Sequence, residues 1–366
     1  MAIFSIIIPV YNEEKFLKNI VEDVLKIQKD EYLIQNNIQL EIIIVDDCSN
    51  DNSLKIAKEL ENDIIKVFSH SINQGKGAAL KTGFIKAEGN YIGIQDADRE
   101  YNPKDYINLI KTLIENNCDV VYGSRFLNSK TKNIIDFLHT FVNKFLTFTS
   151  NLLTNLKLTD METCYKLFKK EVIKQIIPKL KENRFGFEPE ITAYIAKNNY
   201  KILECPIKYN PRSYKEGKKI GIKDGIRALY CIFHYSAHYS NTFIQIMIYF
   251  FIGGFSAVIN IILFLILIKI KINLNLSIFI AFIISAIINY LLCILILFKH
   301  KARWSQKGEI ITYIITLIVM GLLDFGFTNL FLILNFGNFL AKTISNVIGF
   351  LGNFLFRKYF VFGKIK

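Results

Sequence analysis

Residues 91–98, Tyr91-Ile92-Gly93-Ile94-Gln95-Asp96-Ala97-Asp98, form a short apolar run that ends in two carboxylates one residue apart. The run predicts a buried strand of a parallel sheet, with the acids at its carboxyl end. Alternate residues of an extended chain point the same way, so Asp96 and Asp98 can reach one ion together. Because carboxylate oxygens suit Mg²⁺ and Mn²⁺, the pair predicts a divalent-cation site with positions left for a diphosphate. Two solvated acids in a turn are the alternative.

The same order of apolar run followed by polar or glycine residues recurs along the first 125 residues. It predicts five strands, at Phe4–Pro9, Leu40–Val45, Ile64–Ser69, Tyr91–Gln95 and Val120–Gly123. Helical segments are predicted between the strands, because caps and apolar periodicity follow each of them. Strands that alternate with helices predict an α/β fold, a mostly parallel sheet with helices on both faces. Ligands of such folds bind at the carboxyl ends of the strands, where these polar residues lie.

The composition of the chain changes near residue 240. The remainder contains four apolar stretches, at about 243–268, 276–298, 310–334 and 339–356. Each is close to the roughly 20 residues that a spanning helix needs, so we expect four transmembrane helices. From residue 241 onward eleven Lys and Arg stand against two acids, Glu309 and Asp324, mostly in loops beside the apolar stretches. This positive-inside pattern argues against a nucleic-acid partner and predicts a multi-pass protein of the cell membrane with both ends cytoplasmic.

The apolar half repeats itself at an offset of 64 residues. Asn260 falls on Asp324, Asn289 falls on Asn353, and Phe298 falls on Phe362. The offset predicts two duplicated helical hairpins that carry polar residues within apolar runs. An ionisable group inside a span is costly, so it is functional or paired. Interhelical hydrogen bonds that hold the hairpins together are the alternative.

Other features of the chain exclude some classes of protein. The six cysteines are scattered without close pairing, so neither a disulfide framework nor a zinc site is indicated. The first residues run into a strand without a basic segment, which predicts that there is no signal peptide. Two amphipathic stretches, Ile134 to Leu156 and Lys218 to Tyr239, predict helices that either face the core or lie in the membrane interface.

Several motifs in order carry a resemblance to a known family. They are Asp46-Asp47-Cys48-Ser49, Asp96-Ala97-Asp98, Gly123-Ser124-Arg125, the segment 158–168, Phe187-Glu188-Pro189-Glu190 and the segment 212–219. With them the front half resembles a GT-A glycosyltransferase of family 2, in the polyprenyl-phosphate group of dolichol-phosphate mannose synthase and its glucosyl relatives. The membrane half resembles the GtrA-like domain. The resemblance implies a catalytic domain at 1–215, a juxtamembrane amphipathic helix at 216–240 and a four-helix domain at 241–366.

The resemblance also implies a reaction. A nucleotide-sugar of the GDP-mannose or UDP-glucose type would pass one sugar, with inversion, to a dolichyl or undecaprenyl phosphate, giving a β-linked lipid-phosphate sugar. The implied cofactor is Mg²⁺ or Mn²⁺. The implied partners are the donor, the lipid phosphate and the bilayer, and a homo-oligomer is compatible with the resemblance.

The roles of individual residues follow from the resemblance. The residues implied in donor binding are Pro9, Tyr11, Glu13, Asp46, Asp47, Gly75, Lys76, Asp96, Ala97, Asp98, Arg212 and Lys215. The metal would be held by Asp96 and Asp98, with Glu100 as a third ligand. Arg125 would bind the lipid phosphate. His139 and Asn143, one helical turn apart, would assist it or simply lie at the headgroup level. Gly75 and Gly77 would let the backbone approach the donor.

Two alternatives belong to other functional classes. A processive polysaccharide synthase carries Gln-x-x-Arg-Trp at the membrane surface, whereas this chain has His300-Lys301-Ala302-Arg303-Trp304, with His in place of Gln. That segment is interpreted as a basic loop with an interfacial aromatic residue. The second alternative is a flippase or scaffold for lipid-linked sugars with an inactive front domain, and the intact acidic pair argues against it.

Overall fold

The computed structural model describes residues 1–127, 137–210, 221–298 and 306–362. The chain forms two compact units, Met1–Ser236 (unit 1) and Ala237–Lys366 (unit 2). The predictions made for Arg212 and Lys215 lie outside the described residues, as does the segment 300–304.

Unit 1 is built on a sheet of seven strands. They are β1 (Ala2–Val10), β2 (Ile38–Asp46), β3 (Ile65–Ser69), β4 (Tyr91–Ile94), β5 (Val120–Ser124), β6 (Lys166–Lys169) and β7 (Ile202–Pro206). Their order in space is β3-β2-β1-β4-β6-β5-β7. All neighbours are parallel except that β6 is antiparallel to both β4 and β5. The predicted mostly parallel α/β sheet is therefore confirmed, although β6 and β7 are not among the predicted strands.

Two isoleucine-rich strands, β1 and β2, lie side by side in the interior of the sheet. Ile6, Ile7 and Ile8 of β1 pair in register with Ile42, Ile43 and Ile44 of β2, and all six side chains are buried. Successive strand residues point to opposite faces, so both faces of the sheet are covered. The helices of unit 1 are α1 (Leu17–Lys26), α2 (Glu31–Gln35), α3 (Ser53–Leu60), α4 (Lys76–Lys86), α5 (Asp105–Glu115), α6 (Phe137–Thr154), α7 (Lys170–Ile176), α8 (Phe187–Lys197) and α9 (Ile222–Ser236).

Helices α6 and α9 are the two predicted amphipathic segments, and both pack on α8 and on each other. α6 exposes an apolar stripe at helical spacing, formed by Phe141, Phe145, Phe148 and Leu152. α9 buries one face, including Cys231 and Tyr235, and exposes Ile226 and Tyr230. Each helix thus faces the core of unit 1 with one side and leaves apolar side chains open on the other.

Unit 2 contains two helical hairpins that repeat each other. The helices are α10 (Thr242–Lys269), α11 (Leu274–Leu292), α12 (Gln306–Ile333) and α13 (Asn338–Phe356). Every bound of the second hairpin lies 64 residues after the matching bound of the first. A π-helical turn follows both α11 and α13, at Cys293–Phe298 and Arg357–Val361. The predicted duplication is therefore present in the backbone as well as in the sequence.

Two stretches of unit 2 are long and apolar enough to cross a membrane, Thr242–Lys269 and Phe279–Phe298. Both face outward with most of their side chains, as spanning helices do in contact with lipid. In the described part of α12 and α13 no further helix meets the same test. The four helices are present, and the prediction that all four span the bilayer stays a prediction.

Candidate active site

The carboxyl ends of β4 and β5 lie at the same edge of the sheet. β4 leads into Gln95-Asp96-Ala97-Asp98, and β5 ends directly before Arg125. Because both strands are antiparallel to β6 and flank it, they run parallel to each other. Neighbouring strands are about 4.8 Å apart, so the two strand ends are presented roughly 10 Å apart. The same edge of the sheet therefore carries an acidic segment after β4 and a guanidinium group after β5.

The acidic side of this edge contains a partly buried cation. Lys76, the first residue of α4, places Nζ 2.9 Å from Oδ1 of Asp96 and 3.4 Å from Oε1 of Glu188. Burial is the largest influence on Lys76 and acts to lower its pKa. The carboxylates of Asp96 and Glu188 outweigh it, so the pKa of Lys76 is raised well above its ordinary value. The ammonium group is therefore charged at any physiological pH.

The basic side of the edge is a bidentate ion pair. Nε and Nη2 of Arg125 each donate to a carboxylate oxygen of Asp160 at 2.7 Å, and the backbone N–H of Arg125 donates to the same carboxylate at 3.0 Å. Asp160 is fully buried, whereas 9% of the Arg125 side chain remains exposed. Two of the five guanidinium N–H groups are used, and among the described residues the others have no acceptor. Asp160 thus fixes Arg125 and leaves one edge of it for another anion.

Between the two sides lies a carboxyl group that is hard to ionise. Oε1 of Glu162 is buried and has no hydrogen-bond partner among the described residues. Burial first, and then the neighbouring Glu188, raise the pKa of Glu162 to about 8. Lys166 is also fully buried and donates from Nζ to the backbone oxygen of Met161 at 3.0 Å. Burial lowers the pKa of Lys166. At neutral pH Glu162 is therefore mostly uncharged.

In the first acidic pair, Asp46 is the last residue of β2 and Asp47 follows it, and the two carboxylates have different partners. Oδ2 of Asp46 accepts the backbone N–H of Ser49 at 3.0 Å, while its Oδ1 is buried without a partner among the described residues. Asp47 instead accepts the backbone N–H groups of Gln74 at 2.9 Å and Gly75 at 2.6 Å. Asp46 therefore keeps an oxygen for a ligand, and Asp47 fixes the loop that precedes Lys76.

The glycines that flank Lys76 make room for the chain's own segment 182–184. Gly75 has a φ of +100°, which favours glycine, and a side chain there would collide with the backbone oxygen of Asn183. At Gly77 an added Cβ would lie 2.6 Å from the backbone oxygen of Glu182. Segment 182–184 therefore favours glycine at both positions, and the interpretation that these glycines let the backbone approach the donor stays a prediction.

The predicted set of three metal ligands is not assembled. Glu100 accepts a hydrogen bond from the Tyr209 hydroxyl at 2.9 Å, and its backbone N–H donates to Asp98 at 3.1 Å. Across the described ranges no group of three His, Cys, Asp or Glu side chains is arranged to hold a metal. Mg²⁺ is commonly held by one or two carboxylates together with substrate phosphates and waters. Asp96 and Asp98, both partly exposed at the strand end, fit a cation that arrives with a diphosphate.

The remaining predicted donor residues lie at the same edge. Pro9 is the second-last residue of β1, and Tyr11 and Glu13 follow the strand and are half-buried. Ala97 is buried between the two acids of the β4 end. The backbone N–H of Glu13 donates to Ser53 at 2.8 Å, which ties this turn to the start of α3. The structure thus brings the β1, β2 and β4 residues together.

The predicted acceptor residues on α6 are placed less directly. The side chain of His139 lies outside the described residues. Asn143 is half-buried and shares its helix face with the buried Leu146 and Ser150, away from the exposed apolar stripe. The side chain of Asn143 therefore points toward the core of unit 1.

Sequence reasoning missed the partners of both cations. Asp160 and Glu188 both lie in motifs that carried the family resemblance, yet neither was paired with Arg125 or Lys76. The available signal was the charge itself, because a cation next to a buried strand end needs an acid nearby.

Models of two protein families match the chain. Residues 5–177 match "Glycosyl transferase family 2", and residues 248–362 match "GtrA/DPMS, transmembrane domain". The second match, together with the two apolar helices, indicates a membrane protein.

Two named relatives match about three fifths of the chain. A UDP-N-acetylglucosamine–dolichyl-phosphate N-acetylglucosaminyltransferase of Methanococcus voltae is 31% identical over 242 residues, which cover 62% of this chain and 92% of that protein. The dolichyl-phosphate beta-glucosyltransferase ALG5D of Trichomonas vaginalis is 29% identical over 61% of this chain and 69% of that protein. Among solved structures, glucosyl-3-phosphoglycerate synthase from Mycobacterium tuberculosis has a TM-score of 0.49 at 14% identity, over 64% of this chain and 78% of that one.

Proposed function

Because the chain belongs to glycosyl transferase family 2, we propose that this glycosyltransferase moves one sugar from a nucleotide-sugar to the phosphate of a membrane polyprenyl lipid. The relatives named as dolichyl-phosphate glycosyltransferases support this acceptor. The observation that carries the proposal is the sheet edge itself, where the strand end that leads into Asp96 and Asp98 and the strand end before Arg125 are roughly 10 Å apart, and Asp160 holds the Arg125 guanidinium. That spacing suits a leaving diphosphate on one side and an attacking phosphate on the other.

The donor occupies the side formed by β1, β2 and β4. The unpartnered oxygen of Asp46 accepts an N–H of the base or a hydroxyl of the ribose, because a buried carboxylate oxygen without a donor is costly. Lys76 lies against Asp96 and offers positive charge near the diphosphate. The donor is a GDP- or UDP-linked hexose or N-acetylhexosamine.

Asp96 and Asp98 would hold Mg²⁺ or Mn²⁺ together with the diphosphate oxygens. When bound, the cation would offset the negative charge that develops on the leaving nucleoside diphosphate. Lys76 shares Asp96 and keeps that carboxylate in place before the donor arrives. Chelation with EDTA is therefore expected to stop transfer.

The acceptor phosphate lies against Arg125. A phosphate monoester has a second pKa near 6, so its oxygen is largely ionised at neutral pH and needs no strong base. Asp160 takes one edge of the guanidinium, which orients the other edge toward the phosphate without cancelling its hydrogen-bond donors. A single in-line displacement at the anomeric carbon inverts its configuration, so an α-linked donor yields a β-linked product.

The apolar stripe on α6 supports reaction at the bilayer surface. Phe141 and Phe148 are 60% and 65% exposed, and an amphipathic helix with such a face binds in the interface plane. The lipid tail then stays in hydrocarbon while its phosphate reaches the sheet edge. We place unit 1 on the cytoplasmic side, in keeping with the positive-inside charge of unit 2.

A donor panel tests the proposal. Membranes that contain the full chain are supplied with polyprenyl phosphate and radiolabelled GDP-mannose, UDP-glucose or UDP-N-acetylglucosamine, and the lipid is extracted. One sugar per lipid phosphate from at least one donor supports the proposal. Label in a polymer, or no labelled lipid with any donor, contradicts it.

Arg125→Gln is expected to raise the KM for the lipid more than that for the nucleotide-sugar, whereas equal changes would refute its acceptor role.

A further inference from the structure

Unit 2 contains a buried arginine whose described contacts are all neutral. Arg357, at the end of α13, is 3% exposed. Its Nε donates to Oδ1 of Asn353 at 2.9 Å, its Nη1 to Oδ1 of Asn289 at 2.7 Å, and its Nη2 to the Tyr313 hydroxyl at 3.2 Å. The rings of Tyr249 and Tyr313 lie 5.5 Å and 4.5 Å from Cζ. Amides, a hydroxyl and ring faces orient the guanidinium, but none of them carries a negative charge.

The surroundings of Arg357 are duplicated, whereas Arg357 is not. Tyr249 and Tyr313 are 64 residues apart, as are Asn289 and Asn353, so each hairpin supplies one tyrosine and one asparagine. The position that matches Arg357 in the first hairpin is Cys293, whose sulfur lies 3.8 Å from Nη1. The repeat therefore builds a two-fold polar cage around one positive charge.

This cage opens into a cavity of about 470 Å³ between the helices. Its polar lining includes Asn260, Ser285, Asn289, Asn353 and Arg357. Nδ2 of Asn260 donates to Ser285 at 3.0 Å, so hydroxyl and amide groups continue away from the arginine. A cavity of this size accommodates a phosphate together with a sugar-sized polar group.

An uncompensated charge among apolar helices costs several kcal/mol, so such residues are paired or bind a ligand. The only acids of unit 2 are Glu309 and Asp324 on α12, and their side chains lie outside the described part. Among the described residues no acid contacts Arg357, whose partners are the amides, the hydroxyl and the rings given above.

We propose that this cavity is a second lipid-phosphate site, in which Arg357 binds the phosphate of a polyprenyl phosphate. Where that phosphate carries a sugar, the amide and hydroxyl groups that line the cavity contact the sugar. The identity of the lipid rests on the proposed function; the anion site rests on the cage alone. A lipid is favoured over free phosphate because the cavity is also lined by Ile261, Phe282 and Phe350. An isoprenoid chain can leave the cavity between such side chains.

Native mass spectrometry of the full chain in detergent, titrated with a polyprenyl phosphate, tests this directly. The wild type is expected to bind two lipids, one at each unit. Arg357→Gln is expected to bind the second at least tenfold more weakly. Lys358→Gln is the matched control, because it removes the neighbouring cation, which donates to Thr242 at 2.9 Å and does not line the cavity. It is expected to keep both lipids.

Further arms separate the sources of the anion. The parent polyprenol lacks the phosphate and is expected not to fill the second site, and millimolar inorganic phosphate is expected not to displace the lipid. Equal binding by Arg357→Gln and Lys358→Gln, or equal binding of the polyprenol, would overturn the proposal. Displacement by inorganic phosphate would overturn its lipid assignment.

The outcome remains informative if Arg357→Gln does not fold. Arg357→Lys keeps the charge but loses the planar guanidinium with its several N–H donors. It is expected to bind the second lipid more weakly than wild type and to show a smaller lipid-induced rise in Tm. An unchanged second site in Arg357→Lys contradicts the caged-guanidinium assignment. A chain that binds two lipids but transfers no sugar would refute the proposed function and leave this site standing.

Discussion

The two units differ in the partners that they give to their partly or fully buried cations. In unit 1, Lys76 lies against Asp96 and Glu188, and Arg125 forms a bidentate pair with Asp160. In unit 2 the described contacts of Arg357 are to amides, a hydroxyl and aromatic rings. A paired cation is fixed before a ligand arrives and acts mainly by geometry. A cation among neutral groups keeps its full attraction for an anion.

The difference fits two kinds of task. The transfer site must align two phosphates without holding the product tightly, and carboxylates beside its cations moderate their attraction. A site that only binds a lipid phosphate has no such restriction. The comparison therefore predicts that removing an acid harms unit 1, whereas removing the cation itself harms unit 2.

The largest effect is expected from breaking the acidic side of the transfer site. Asp98→Asn keeps the shape of the side chain but removes a charge that would hold the cation and diphosphate, so transfer should fall at least a thousandfold. Radiolabelled sugar in extracted lipid measures it. Asp63→Asn, a change at an exposed acid of the α3–β3 loop, is the control and should leave the rate unchanged. An active Asp98→Asn enzyme that ignores EDTA would exclude the metal role.

Breaking the pair on the basic side is expected to reduce stability. Asp160→Asn leaves the Arg125 guanidinium buried without a counter-charge, which costs about 3 kcal/mol. Asp119→Asn removes the acid of a partly exposed pair, 3.8 Å from Lys169, and should cost less than about 1 kcal/mol. Thermal unfolding of the two purified variants compares these costs. Equal Tm values would mean that Asp160 does not stabilise unit 1 through Arg125.

A smaller effect is expected from Glu162, and it depends on pH. Its pKa is raised from 4.5 to about 8, so the folded chain binds a proton that the unfolded chain releases between these values. Stability should therefore fall as the pH rises from about 5 to 8. Glu162→Gln cannot ionise and should flatten this dependence of Tm on pH. Glu115→Gln, on the exposed face of α5, should keep the wild-type slope; an unchanged slope in Glu162→Gln would refute the assignment.

The strands that could be predicted are those whose sequence is locally decisive. β1 and β2 contain the apolar runs Ile6–Val10 and Ile42–Val45, and their burial on both faces follows from that pattern. β6 could not be predicted in the same way, because it has four residues and begins with Lys166, a residue type rarely buried. Its antiparallel place between β4 and β5 depends on partners far away in the chain.

The site was predictable in its acids and less so in its pairings. Asp96 and Asp98 follow a strand directly, so their position at the sheet edge needed only the alternation of the chain. The pair of Arg125 and Asp160 joins residues 35 positions apart, and no local pattern encodes such a contact. In unit 2 the 64-residue offset did predict the duplicated hairpins, because a repeat carries long-range information within the sequence.

The most direct test of the account is the mass of the lipid after reaction. The purified full-length chain is incubated with polyprenyl phosphate, Mg²⁺ or Mn²⁺ and each nucleotide-sugar in turn. The molecular mass of the extracted lipid is then measured by mass spectrometry. We predict that one donor adds the mass of a single sugar residue to the lipid phosphate, and that EDTA abolishes the gain. A lipid of unchanged mass with every donor, or one extended by many sugars, would contradict the account.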